Sequence, residues 1–258
     1  VLAAACALAL ATYHSDPSLL YRATREDGVV EWTTVAVLVT LAVLVARRLL
    51  PPPEALPRFH RIVAWCLVLL ALAAAGEEIS WGQRLFGFET PETMKSINLQ
   101  RETNLHNLMP GELFNGLIVF ALGIGFVVAP TIWRHLSTAP PLWLPSPEVS
   151  LLMLDAILIN HYRFRSLPEK VGIVVLLALL AQQSLSSAMA RNLPLLMASA
   201  AGWITAGCLY HSRSVLRVAN HQYEVRELLI VILAAVWATQ TLDAYRALTE
   251  SSDERSAS

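Results

Sequence analysis

Two adjacent carboxylates stand where an apolar run is ending. In "AAAGEEISWGQRLFGFETPE" (73–92), Glu77 and Glu78 follow directly on alanine and glycine, with Trp81, Gln83 and Arg84 just behind them. A charge near the middle of a bilayer costs about 2.5–3.5 kcal/mol, and less towards the edge. Two in a row need a cation, a metal, a proton or hydrogen-bond donors. Two other stretches could supply them. "EDGVVEW" (26–32) carries Asp27 and sets Glu31 a turn inside the next apolar run. "RETNLHN" (101–107) packs Glu102, Asn104, His106 and Asn107 just before another. A histidine with two or three carboxylates suits zinc, manganese or iron. It is equally a general acid/base set in which burial raises one carboxylate pKa. The candidate catalytic residues are therefore Glu31, Glu77, Glu78 and His106. The candidate ligands of a divalent metal are Glu31, Glu78 and His106. Asp27, Trp81, Gln83, Arg84, Glu102, Asn104 and Asn107 make up a supporting polar shell. No ligand spacing here is diagnostic.

Each residue also has a plainer reading. Glu77 and Glu78 could snorkel to the interface beside Trp81, an ordinary belt aromatic. Glu31 could answer the helix dipole, and His106 could be solvated. On a continuous helix Glu77, Trp81 and Arg84 share one stripe, and Glu78, Gly82 and Leu85 another, so the two acids face different neighbours. "TPE" (90–92) reads as a helix start, with Thr90 as cap and Pro91 at the first helical position of a short helix over 91–99. Weaker candidates are His221 with Glu224 and Glu227, the polar run 182–187, and Asp155 with Asn160 and His161.

The elements that must position these groups are membrane spans. Of the 258 residues, 55% are hydrophobic and only 15% charged, against about 25% charged in soluble domains. With net charge −1 and no basic patch, nothing suggests nucleic acid. Cys6, Cys66 and Cys208 each lie in an apolar run and read as small hydrophobes. Runs long enough to cross lie near 1–13, 29–46, 61–80, 112–132, 171–190, 193–211 and 228–245. The opening run reads as a first span, since no charged segment precedes it. From Arg61 to Gly76 is about 24 Å of helix, so the third span must run on to about Ser80, which draws both glutamates to membrane depth.

The segment 142–160 has a short apolar core and reads as interfacial or re-entrant. Charge bias supports leaving it out. With seven spans and an inside N-terminus, Arg47, Arg48, Arg58, Arg61, Arg134, Arg163, Arg165, Lys170, Arg213, Arg217 and Arg226 are inside. Arg22, Arg25, Arg84, Lys95, Arg101, Arg191, Arg246 and Arg255 are outside, a split of 11 to 8 among 19 basic residues. An eighth span at 142–160 reverses the split. The expected fold is all-α: a polytopic helix bundle of about seven spans, eight being the alternative, forming one membrane domain over 1–246. Residues 247–258 read as a disordered polar tail.

Three blocks resemble the signatures of a family of uncharacterised bacterial multi-pass inner-membrane proteins: "EDGVVEW", "GEEISWGQRLFGFETPE" and "NLQRETNLHN". The pattern runs E-D-G-x-x-E-W, G-E-E-I-S-W-G-Q-R-x-F-G…T-P-E and N-x-Q-G-E-T-N-L-H-N. This chain departs from it at Arg101, where the pattern has glycine. The resemblance implies a bacterial inner-membrane location and no established activity. A looser likeness to membrane hydrolases of the alkaline ceramidase type fails at the paired histidines of the last span, where this chain has Gln240 and Asp243.

The leading expectation is a membrane-embedded hydrolase or transferase with an outward-facing acid/His site, metal-assisted and acting on a lipid-linked substrate. The alternatives are a non-catalytic scaffold for an envelope protein partner and a proton-coupled transporter. A transporter would use intramembrane acids as its relay, but the sequence shows no internal repeat.

Overall fold

A mostly apolar run between Gly28 and the Arg47–Arg48 pair makes up most of the first long helix, which has 21 residues. In the computed structural model the described residues are 22, 28–50, 57–98, 101–105, 108, 111–137, 141–158, 178, 193, 196–197, 200, 203–204 and 222–257. Among them every regular element is helical. In chain order these are α1 (Val29–Leu49), α2 (Arg58–Glu78), α3 (Gln83–Phe86), α4 (Glu92–Ile97), α5 (Gly111–Leu122), α6 (Ala129–Leu136), α7 (Pro147–Leu158) and α8 (Gln222–Ala257). A π-helical turn, Gly123–Val128, joins α5 to α6.

Four stretches are long and apolar enough to cross a membrane: Val29–Leu49, Arg58–Glu78, Gly116–Leu136 and Arg226–Ala247, of 21, 21, 21 and 22 residues. At 1.5 Å per residue each reaches about 32 Å, the thickness of the hydrocarbon layer. Much of their apolar surface stays uncovered: Phe59, Leu69 and Leu70 on α2 are each more than 60% exposed. These are the features of a membrane protein. The expected spans at 171–190 and 193–211 fall largely outside the described residues, and 1–13 entirely so.

The chain divides into two compact units, Val1–Glu31 with Ala121–Leu233, and Trp32–Phe120 with Ala234–Ser258. In the second unit α1 buries Thr34, Leu38, Leu41, Ala42, Val45 and Leu49, a stripe at helical spacing. Helix α2 buries Ala64, Val68, Ala71 and Ala75, small side chains of the kind that let membrane helices approach closely. The end of α1 is tied to α8. Arg48 Nε donates to Asp243 Oδ1 at 2.8 Å and Nη2 to Oδ2 at 3.3 Å, while Arg246 Nη2 donates to the Arg48 carbonyl at 3.1 Å. The ring of His60, at the start of α2, lies 5.3 Å from that of Tyr245. The end of α1, the start of α2 and residues 243–246 of α8 thus meet at one end. This corrects the expectation that placed Arg48 and Arg246 on opposite faces.

In the first unit the π turn has a local cause. Pro130 lacks the N–H that would continue the helical ladder, and a π turn absorbs the break. Thr131 Oγ1 donates to the Val127 carbonyl at 2.6 Å, satisfying an acceptor in the disturbed stretch. Helix α7 packs against this turn. It starts at a working cap: Ser146 Oγ accepts from the Val149 N–H at 3.3 Å, with Pro147 and Glu148 in the first turn. From Val149 to Ile157 every residue is buried except Leu152. A helix covered all round is core or span, so α7 is not the one-sided interfacial helix that its length suggested.

The tail also differs from expectation. Helix α8 continues across 247–257, because extending a formed helix needs no new nucleation.

The shared end of α1, α2 and α8 is directly testable. Single cysteines replacing Arg58 and Glu250, in a chain whose native cysteines are serine, should react with an impermeant maleimide from the same side of sealed vesicles. A cysteine at Glu92 should react only from the other side. Labelling of positions 58 and 250 from opposite sides would contradict the Arg48–Asp243 pairing.

Candidate functional site

Helix α2 stops at Glu78 because the next residues turn left-handed. Ser80, Trp81 and Gly82 have φ of +48°, +56° and +89°. Glycine adopts this region freely, whereas other residues lose about 1–2 kcal/mol each. Ser80 and Trp81 are held there by contacts on both sides. Ser80 Oγ donates to Glu102 Oε2 at 2.7 Å, and Thr103 Oγ1 donates to the Ser80 carbonyl. Trp81 folds back over α2, where a Cβ added to Gly76 would sit 3.1 Å from its ring. Its Nε1 donates to Glu77 Oε1.

Residues 98–105 are fastened onto this turn. Glu102 is the centre of the fastening. Its carboxylate accepts from Ser80 Oγ, from Asn104 Nδ2 at 2.8 Å and from Arg84 Nη2 at 3.3 Å. Arg84 and Glu102 are both largely covered, with 15% and 22% of their side chains exposed. Asn98 Nδ2 donates to the Asn104 carbonyl and side chain at 2.6 and 2.8 Å, and Asn98 Oδ1 accepts from the Glu102 N–H at 3.3 Å. Gln83 clamps from the other side: Oε1 accepts from the Thr103 N–H at 3.1 Å and Nε2 donates to Thr90 Oγ1 at 2.7 Å. Glu77 completes the cap, its Oε2 accepting from the Leu105 N–H at 2.6 Å. Ser80, Thr90, Asn98 and Asn104 are buried.

The same segments carry an apolar outer surface. Trp81, Leu85, Phe86, Phe88, Ile97 and Leu105 are all exposed, Phe86 to 81%. Between them α4 presents Lys95 to Glu92 at 2.8 Å, and that hydrogen bond holds the ammonium above its usual range.

Of the expected residues, Glu77, Trp81, Gln83, Arg84, Glu102 and Asn104 come together in this cap. Glu78 is half-buried in the last turn of α2. Glu31 is buried in the first turn of α1 and belongs to the first unit. Asp27, His106 and Asn107 lie outside the described residues, as do His221, 182–187, Asn160 and His161. Among the described residues no group of three histidines, cysteines or acids is set to hold a metal. Glu227 pairs with Arg226 at 2.8 Å, a salt-bridged helix start.

Two expectations are corrected here. Pro91, not Thr90, takes the cap position of α4, and no side chain caps it; Thr90 Oγ1 is turned to Gln83 instead. The stripes drawn through Trp81, Gly82, Arg84 and Leu85 assumed a helix that ends at Glu78, although the Glu77–Trp81 pair forms across the break. Sequence reasoning gave no role to Ser80, Asn98 and Thr103. Their signal was small polar type within the two motif blocks.

The chain matches no family model, no curated protein and no solved structure. The cap must therefore speak through its own chemistry. It is a charge-neutralised, internally bonded lid on the end of a span.

Two substitutions should move stability in opposite directions. Glu102→Ala leaves Arg84, Ser80 and Asn104 without their acceptor and should cost about 2–3 kcal/mol, read as a lower unfolding midpoint in detergent. Arg101 has φ +60°, and Arg101→Gly should raise stability by about 1 kcal/mol. The second result would be contradicted by an equal or lower midpoint.

Proposed function

We propose that the chain is a multi-pass protein of the bacterial inner membrane that hydrolyses or transfers a group of a lipid-linked substrate at the cap. The observation supporting this is the cap's build: a bonded polar interior on segments whose exposed side chains are largely apolar, at the end of a span. Such a surface belongs at headgroup depth. A substrate anchored in the acyl layer would present its polar end beside Glu78. Glu77 and Glu102 hold the cap; in this reading Glu78 and His106 are the acid and the base. Glu78 and His106 have the donor chemistry for a divalent metal, which would supply Lewis acidity or an activated water.

The same reading takes eight spans. If residues 48 and 246 leave on one face, the chain crosses an even number of times between them. Helix α2, the 116–136 span and α8 supply three crossings, so residues 137–225 must add an odd number. Counting 142–160 with 171–190 and 193–211 meets that condition; the seven-span count does not. Loops on the cap's side then carry 11 of the 19 basic residues, so the bias places the cap towards the cytoplasm rather than outward.

A second reading, a scaffold for an envelope complex, draws on the same self-satisfied bonding, which leaves the cap rigid and its apolar surface free to dock.

The deciding experiment uses the full chain in proteoliposomes made with inner-membrane lipid extract. Metal content and lipid products are followed by mass spectrometry. Glu78→Gln and His106→Ala should abolish turnover while the unfolding midpoint stays within about 1 kcal/mol of the parent. Bound metal should fall with turnover. Turnover unchanged in both variants would remove the enzyme reading; a metal-free active parent would remove only the metal.

A further inference from the structure

One buried acid has no part in the cap. Asp155, on α7, is 7% exposed, and both its carboxyl oxygens are buried with no hydrogen-bond partner among the described residues. The Ser150 hydroxyl on the same helix is also buried, with no partner among them. Other acids differ: Glu102 is bonded to three side chains, and Glu31 has an interaction of its own. The neighbouring elements described bring Glu148 on the same helix, and Arg134 and His135 on α6. The π turn packed on α7 brings no titratable group. Arg134 is directed elsewhere, donating to the Pro145 carbonyl.

A carboxylate stripped of water and left without a partner is far costlier than the neutral acid, so such a group takes up a proton instead. Chains do not keep an acid in an apolar core for packing, because leucine or asparagine fills the space without that liability. In membrane proteins, buried acids of this kind mark proton and ion paths. We propose that Asp155 is a proton-binding site, a carboxyl held neutral in the resting protein that exchanges its proton when water reaches it. The site goes beyond the reading of the cap and is independent of it. With 142–160 counted as a crossing, it lies at membrane depth.

The test uses full-length protein in detergent. Infrared spectra at neutral pH should show the carbonyl stretch of a protonated carboxylic acid, shifting on transfer to D2O. Asp155→Asn, which keeps the shape, should lose it. In parallel, the protein is treated with dicyclohexylcarbodiimide. The carboxyl proton moves to a carbodiimide nitrogen as the carboxyl oxygen adds to the central carbon. The O-acylisourea then rearranges to a stable N-acylurea, with nothing lost and no oxidant needed. Peptide mapping should find the adduct at Asp155, with a yield that falls as pH rises through the ionisation of the acid. Glu148→Gln should leave band and adduct unchanged. Either signal, lost in Asp155→Asn, supports the site. Absence of both from folded parent protein overturns it, whatever the outcome for Glu78 and His106.

Discussion

The second unit is organised around one carboxylate. A helix that ends at the edge of the hydrocarbon must satisfy its last carbonyls, and any acid in its last turn, without free access to water. Glu102, brought in from 24 residues beyond Glu78, solves this for the neighbourhood. It neutralises Arg84, receives Ser80 and Asn104, and so fixes the loop that places the Leu105 N–H on Glu77. Each bond alone contributes about 1 kcal/mol, more where charge is involved. Their effect is collective, because each partner is held by another.

That fastening is what tolerates the left-handed turn. Ser80 and Trp81 sit at φ values that other residues avoid, and together they cost about 2–4 kcal/mol. A helix could have run on through the same residues. It does not, because the turn lets Ser80 reach Glu102, lets Thr103 reach the Ser80 carbonyl and lays Trp81 over Gly76. Gly76 is needed for close approach and Gly82 for its φ of +89°. The local sequence "GEEISWG" is thus a helix stop only in the presence of the later block "NLQRETN".

The long helices were legible from composition and length, since a run of about 20 apolar residues has few other uses. The cap's membership was legible in part: six of the polar residues singled out do converge. Their roles were not. Spacing on a straight helix could not foresee the turn at 80–82, so the stripes through Arg84 and Leu85 failed. The two helix starts show the same limit. "SPE" at 146–148 and "TPE" at 90–92 carry the same local signal. Ser146 caps its helix, but Thr90 is drawn away by Gln83, a partner seven residues back that no local rule names. Arg101, at φ +60°, was likewise not foreseen as left-handed.

Length alone left α7 between the interface and re-entry. Its clean apolar core is short, and short amphipathic runs usually lie in the interface. Yet a helix lying there would leave one face exposed, and from Val149 to Ile157 only Leu152 is even partly so. Burial on every face means that Asp155 has no solvent side to snorkel towards, unlike Asp243, which stays exposed while holding Arg48. The contrast between these two aspartates carries the physical point. An acid near the end of a crossing stretch keeps its charge by finding an arginine, whereas an acid in the middle of a covered helix keeps its place by giving the charge up. The first fastens helices; the second is left with chemistry still to do.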